Sequence, residues 1–376
     1  MTVELTLERV AHGGIVVGRA EGKVIFTTGG LPGERVLVEV TETGRSFDRG
    51  RVVEVLEPAS GRVVPPCPIA GECGGCDWQH ADAQTQLDLK TSVLAEQLSR
   101  LAGIEWDGRV EPVPGGLTGW RTRLRFATDA RGELGLRARR SHAVVPLPEE
   151  GCLIADRFDY AEARSVAEPD SEVVVAVGSE EPTVLGPRRG FGADPVVQRV
   201  HGRDFRVAAE GFWQVHREAP GVLTDVVLEG LQPRRGEYAL DLYCGVGLFA
   251  GALVDAGCDV LGVELSREAI SQARRNVPEA RFIASALERV LRDLPEAVDL
   301  VVLDPPRKGA GEKVVRAIAE TNPRRIAYVA CDPAALARDL ATFAEEGYRP
   351  SSIRGFDLFP MTHHIEAVAI LHPSHG

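Results

Sequence analysis

Residues 241–253 read DLYCGVGLFAGAL. An apolar run, YALDLY, contains the acid Asp241 at its end, and Gly245 and Gly247 then turn the chain into a second apolar segment. Glycines at such a turn let backbone amides approach a ligand at the start of a helix. With Ala250 the stretch satisfies G-x-G-x-x-A, a pattern compatible with a dinucleotide. Glu264 closes the next apolar run, DVLGVE, about 20 residues further on, where an acid can hold ribose hydroxyls. A nicotinamide cofactor and S-adenosylmethionine both carry such a ribose, so these residues alone leave both open.

Working outward, the region from about residue 210 alternates short apolar runs with helical ones. The runs are YALDLY, DVLGVE, ARFIAS, VDLVVLD, RIAYVA and AVAIL. This alternation predicts an α/β fold with a doubly wound sheet. Ligands in such sheets bind beyond the carboxyl ends of the strands, so the residue after each run carries the most information. VDLVVLDPPRKGAG puts Asp304 there, followed by Pro305 and Pro306, which cannot continue a sheet and stiffen the loop. An acid before two prolines resembles the substrate-side motif of methyltransferases acting on nitrogen or on bases, and resembles no dehydrogenase motif. RIAYVACDPAALARDL delivers Cys331 at a strand end with a helix beyond. The helix start can stabilise a thiolate there, although a plain core cysteine fits the position equally well. In FPMTHHIEAVAIL the adjacent His363 and His364 make a poor metal site, while Glu366 opens an apolar strand. A carboxyl partly buried there has a raised pKa and can act as a base.

Upstream, GKVIFTTG, ERVLVEVTE and DRGRVVEVLE are short alternating runs between glycine-rich turns, which predicts a small OB-like β-barrel over 1–58. EPASGRVVPPCP reads as a linker. Residues 59–110 hold a cysteine segment and a helix whose Leu87, Leu94, Leu98 and Leu101 recur near helical spacing, with Gly103 as its stop. Residues 111–208 read as a central β-rich region, with GSEEPTVLGPRRGFGADP as a loop, and residues 209–376 as the α/β domain. Arg121, Arg123 and Arg125 alternate, which on a strand puts all three on one face. Arg131, Arg137, Arg139 and Arg140 follow. The stretch reads either as a solvated face or as a phosphate-contacting ribbon.

The 376 residues suit two or three domains. The net charge of −12 argues against a nucleic-acid partner unless basic residues cluster, as they do here. No apolar run approaches the roughly 18 residues of a membrane span, so no membrane association is expected. The start carries Glu4, Glu8 and Arg9, which predicts no export and a cytoplasmic, reducing setting. There, Cys67, Cys73 and Cys76, spaced C-x5-C-x2-C, with a distant fourth cysteine, suit a four-thiolate metal site. Structural zinc more often uses two close pairs, and iron–sulfur clusters accept irregular spacings; spacing favours the cluster and leaves zinc open.

FWQVH, DLYCGVG, GVELS, DPPRKG, YVACDPAALARDL and FPMTHHIEAVAIL, in this order, resemble the RNA 5-methyluridine (uracil-C5) methyltransferases. The segment CPIAGECGGCDWQH and Cys152 resemble that family's iron–sulfur ligands, and the N-terminal β region is similar to its TRAM domain. The resemblance implies a class I S-adenosylmethionine-dependent methyltransferase fold behind a TRAM barrel and an RNA-binding central region. It implies that Gln214, Tyr243, Glu264 and Asp304 line the S-adenosylmethionine site. Cys331 would be the nucleophile that adds to carbon 6 of uracil, and Glu366 the base that removes the carbon 5 proton. Cys67, Cys73, Cys76 and Cys152 would hold a 4Fe-4S cluster with a structural role. The RNA would be 23S rRNA in preference to tRNA, bound by a monomer. His216 and Asp332 depart from the family pattern, each standing where asparagine is usual. The rival readings are an amino-group methyltransferase acting on a nucleic-acid base and a non-catalytic iron–sulfur RNA-binding protein. The first usually carries an aromatic after the prolines, where this chain has Arg307.

Overall fold

In the computed structural model, which describes residues 1–374, the C-terminal half is built on one twisted sheet. Its strands are β1 (Tyr238–Leu242), β2 (Asp259–Glu264), β3 (Arg281–Ala284), β4 (Leu300–Leu303), β5 (Arg325–Ala330), β6 (Tyr348–Asp357) and β7 (Glu366–Pro373). The order is β3-β2-β1-β4-β5-β7-β6, parallel except for β7, which runs antiparallel to both neighbours. Alternate residues feed two apolar layers, as a sheet covered on both faces requires. Leu240, Leu242, Val301, Leu303, Ile326 and Tyr328 pack into one cluster, and Ala239, Leu300, Val302, Ala327 and Val329 into the other. The sheet is therefore doubly wound, as the alternation of runs predicts.

Two pieces from outside residues 209–376 complete this unit. The helix Ala83–Ala102 lays Leu89, Val93, Leu94 and Leu98 on the first cluster, beside Leu336, Leu340 and Phe343 of the helix Pro333–Glu345. It starts on an Asp82 cap and stops at Gly103, whose φ of 64° is the left-handed conformation of a helix end. The short strand Val110–Pro112 then adds to the sheet edge, parallel to β6. The hairpin Val196–Val200/Arg203–Val207 buries Phe205 and Val207 in the second cluster. The 110/111 boundary falls inside the strand Val110–Pro112, and the hairpin just before residue 209 packs on the same sheet as the residues after it. Lys90 pins the helix further, its Nζ 2.5 Å from Asp357 Oδ1 and 3.0 Å from the Phe359 carbonyl, with both charges buried.

Residues 2–57 form a closed five-stranded barrel around Leu5, Leu7, Val16, Ile25, Val36 and Val38. The central region is a six-stranded antiparallel sheet over residues 123–191, packed on the helix Tyr160–Val166 through Phe126, Val173, Val175 and Val184. GSEEPTVLGPRRGFGADP, expected as a loop, contains two short strands of that sheet, Thr183–Leu185 and Gly190–Phe191. Among the described residues no helix is long and apolar enough to cross a membrane.

Candidate active site

The strand ends converge as the doubly wound order requires. Beyond β1, Tyr243 takes a φ of 62°, and Gly245 and Gly247 take φ values of 54° and 93° before the helix Leu248–Asp255. A Cβ on Gly245 would meet nothing within 4 Å, so the backbone there faces open space. Glu264, ending β2, is pinned from two sides: its Oε2 accepts from Gly245 N at 3.3 Å and its Oε1 from Ser266 N at 2.7 Å. Asp241 is 1% exposed; Oδ2 accepts from Ala250 N at 2.7 Å, and Oδ1 has no partner. Burial first, then Asp304 and Glu264, push its carboxyl up to about 8. Gln214 donates to Asp304 Oδ2 at 3.3 Å, linking FWQVH to the end of β4. Burial pushes the Asp304 carboxyl up to about 7, although the residue keeps part of its surface open. Gln214, Tyr243, Glu264 and Asp304 thus share one rim of the sheet, with an orphaned acid oxygen and a bare glycine turn beside them. This donor set suits S-adenosylmethionine: hydroxyl-accepting carboxylates and a turn that a ligand can approach.

Cys331 and Glu366 come from adjacent strands. The β5–β7 register pairs Ala330 with Ala367, so one further step sets Cys331 opposite Glu366. Glu366 is 2% exposed, and its Oε1 has no hydrogen-bond partner. Burial, then the Asp304 charge, raise it well above the carboxylate range. Cys331 is half-buried. Burial first, then Glu366 and Asp304, push the thiol up to about 12, with Arg307 opposing them. The helix start is occupied by Asp332, whose Oδ1 caps Ala335 N at 2.8 Å. Arg307, noted in the sequence only for not being aromatic, is the cation on this side, 3.4 Å from His364 Nε2. His364 is pushed down to about 3 by burial, His363 and Arg307, so it is neutral.

Cys67, Cys73, Cys76 and Cys152 line a single cavity of about 550 Å³, together with Arg121, Arg139, Arg140 and His363. Burial pushes the Cys76 thiol up to about 12 and raises those of Cys73 and Cys152. Gly75 N donates to Cys73 Sγ at 3.3 Å. The four do not close to coordinating distance: among the described residues no group of three or more His, Cys, Asp or Glu is arranged around a metal position. In donor chemistry the set fits a thiophilic centre, since four half-buried thiols line one cavity.

The alternating arginines do not form one free basic face. Arg123 is buried and donates to the carbonyls of Ala208, Ala209 and Gly211. Arg125 and Arg137 share Glu172 at 2.9 and 3.2 Å, and Arg139 meets Asp77 at 3.2 Å. Residues 208–211 cover Arg123, so that side chain serves the fold, while Arg125 on the same face is exposed.

Comparison with known proteins decides the family. The tRNA (uracil-5-)-methyltransferase family model matches residues 291–373, a methyltransferase domain matches residues 239–321, and the TRAM domain matches residues 1–53. A 23S rRNA (uracil(1939)-C(5))-methyltransferase of Alkalilimnicola ehrlichii is 31% identical over 98% of this chain and 96% of its own. The chain belongs to the RNA uracil-5-methyltransferase family. It is an S-adenosylmethionine-dependent RNA methyltransferase with an N-terminal TRAM barrel. An uncharacterized RNA methyltransferase of Streptomyces coelicolor is 45% identical over 99% of this chain and 93% of its own. The fold is shared with the crystal structure of the Pyrococcus abyssi tRNA (uracil-54, C5)-methyltransferase in complex with S-adenosyl-L-homocysteine. That match has a TM-score of 0.77 at 24% identity, over 98% of this chain and all of the other.

Proposed function

We propose that the enzyme methylates carbon 5 of a uridine in 23S rRNA, in preference to tRNA, through a covalent adduct between Cys331 and carbon 6. The observation that carries this reading is the placement of Cys331 and Glu366 at neighbouring strand ends, with Asp304 beside both. The rRNA preference follows the full-length relative named for 23S rRNA.

When bound, S-adenosylmethionine supplies an electrophilic methyl carbon; Gln214, Tyr243, Glu264 and Asp304 would hold it. Carbon 5 of uracil is a weak nucleophile. Cys331 loses its proton to solvent and its sulfur bonds to carbon 6, moving the ring π pair toward carbon 5 and the carbonyl oxygen as an enolate. Arg307 offsets the thiolate charge that burial opposes. After carbon 5 has gained its methyl group, Glu366 takes the carbon 5 proton, the double bond re-forms and the thiolate is expelled. A carboxylate raised by burial is a stronger base for that proton. Because the target atoms lie within a base stack, the uridine is extruded or taken from a loop.

Cys67, Cys73, Cys76 and Cys152 would hold a 4Fe-4S cluster that fastens the cysteine segment to the central sheet, since no step above needs an electron. Deleting the gene in its host and quantifying 5-methyluridine separately in rRNA and tRNA tests the reading. Loss from 23S rRNA supports it, loss from tRNA alone redirects the substrate, and loss from neither removes uridine as the target.

A further inference from the structure

The first hairpin of the TRAM barrel does not end in solvent. Ala11 pairs with Ile15, leaving a three-residue turn of His12, Gly13 and Gly14. His12 Nε2 lies 3.2 Å from Asp332 Oδ2, on the residue that follows Cys331. Asp332 is thus held from two sides, by His12 on one oxygen and by Ala335 N on the other. The turn itself is held in place. The Gly14 carbonyl accepts from Trp78 Nε1 at 3.3 Å, and a Cβ on Gly14 would lie 2.5 Å from His363 Cβ. Nearby, Arg9 of the same barrel strand pairs with Glu96 of the helix Ala83–Ala102 at 2.8 Å.

We infer that His12 is a positioning residue for Cys331, holding the Asp332 carboxylate, and with it the Cys331–Asp332 turn, from the barrel. The inference rests on the reading of Cys331 as nucleophile. It makes the barrel part of the catalytic machinery as well as a domain that handles RNA. Asp332 brings a negative charge next to a thiol that must itself become negative, and that charge is among the causes raising the thiol. A protonated His12 compensates it. The groups facing His12 are Asp332 and Arg338 of the helix after Cys331 and Glu96 of the helix Ala83–Ala102. The hydrogen bond to Asp332 raises the imidazole above its usual value, and burial and Arg338 oppose this. The compensation is complete below the ordinary histidine range and is lost as pH rises through the raised value.

The test is steady-state methylation and the rate of Cys331 alkylation by iodoacetamide, each against pH. They are measured in the full chain and in His12→Ala, His12→Gln, Asp332→Asn and His12→Ala/Asp332→Asn. Asparagine keeps the helix cap without the charge. His12→Ala should lower kcat about fivefold, as loss of a partly exposed charged contact, with KM for RNA nearly unchanged. His12→Gln should restore part of the loss at low pH and remove the histidine titration from the profile. In the Asp332→Asn background, His12→Ala should cost little. A rise in KM at unchanged kcat, or the same loss with and without Asp332, would overturn the inference and leave the nucleophile reading standing. Turnover persisting in Cys331→Ala would overturn both.

Discussion

The strand-end pocket and the cysteine cavity lie either side of one short segment, residues 361–366, yet they are built on opposite plans. The pocket gathers buried acids, Asp241, Asp304 and Glu366, of which Asp241 and Glu366 each leave an oxygen without a partner. The cavity gathers thiols and faces them with arginines, and its loop is fastened to backbone: Asp77 N and Trp78 N both donate to the Met361 carbonyl, at 2.9 and 3.0 Å. On the proposed reading, the first centre does the chemistry and the second holds the segment carrying Glu366 in place.

The strongest way to break this division is Cys331→Ala. Methylation should fall by about 10⁴-fold or more, while S-adenosylmethionine affinity, read by calorimetry, should stay near that of the native enzyme. Next is Cys76→Ser with Cys152→Ser. Iron content should drop and stability should fall by more than about 4 kcal/mol, as on losing a metal centre, read by denaturant unfolding. The folded fraction should still methylate; a folded but inactive variant would move the cavity into the chemistry. The smallest effect sharpens the pocket's side. Asp241 and Asp304 hold protons in the folded chain up to about 8 and about 7, well above unfolded aspartate. The folded state therefore binds more protons, and stability falls as pH rises from about 4 toward 8. Asp241→Asn should flatten that fall in melting temperature; an unchanged slope would mean the carboxyl is ionised throughout.

The pocket was more legible in the sequence than what surrounds it. A strand end followed by a glycine or proline turn is a local signal, and Asp304 and Cys331 each sit at one, while Glu366 opens the strand beside Cys331. The four cysteines were legible as a set because little else explains CGGC. What was not legible depends on distant partners. Lys90 reads as a solvent residue on an amphipathic helix, and only the β6 strand end supplies the Asp357 that lets it be buried. Arg123 alternates like a surface arginine, and its carbonyl partners lie some 85 residues away. The raised thiol pKa comes first from burial and then from Glu366 and Asp304, which two other segments of the chain bring beside it. His12 had no signal at all, since a hairpin turn gives no clue to the domain it touches.

Glu366→Gln tests the central claim most directly. With the carbon 5 proton stranded, the enzyme should make the methylated uracil adduct and fail to release it. A denaturing gel should then carry RNA bound to the chain, with mass spectrometry locating it on Cys331. A variant that turns over normally and forms no adduct would contradict the division of labour between Cys331 and Glu366.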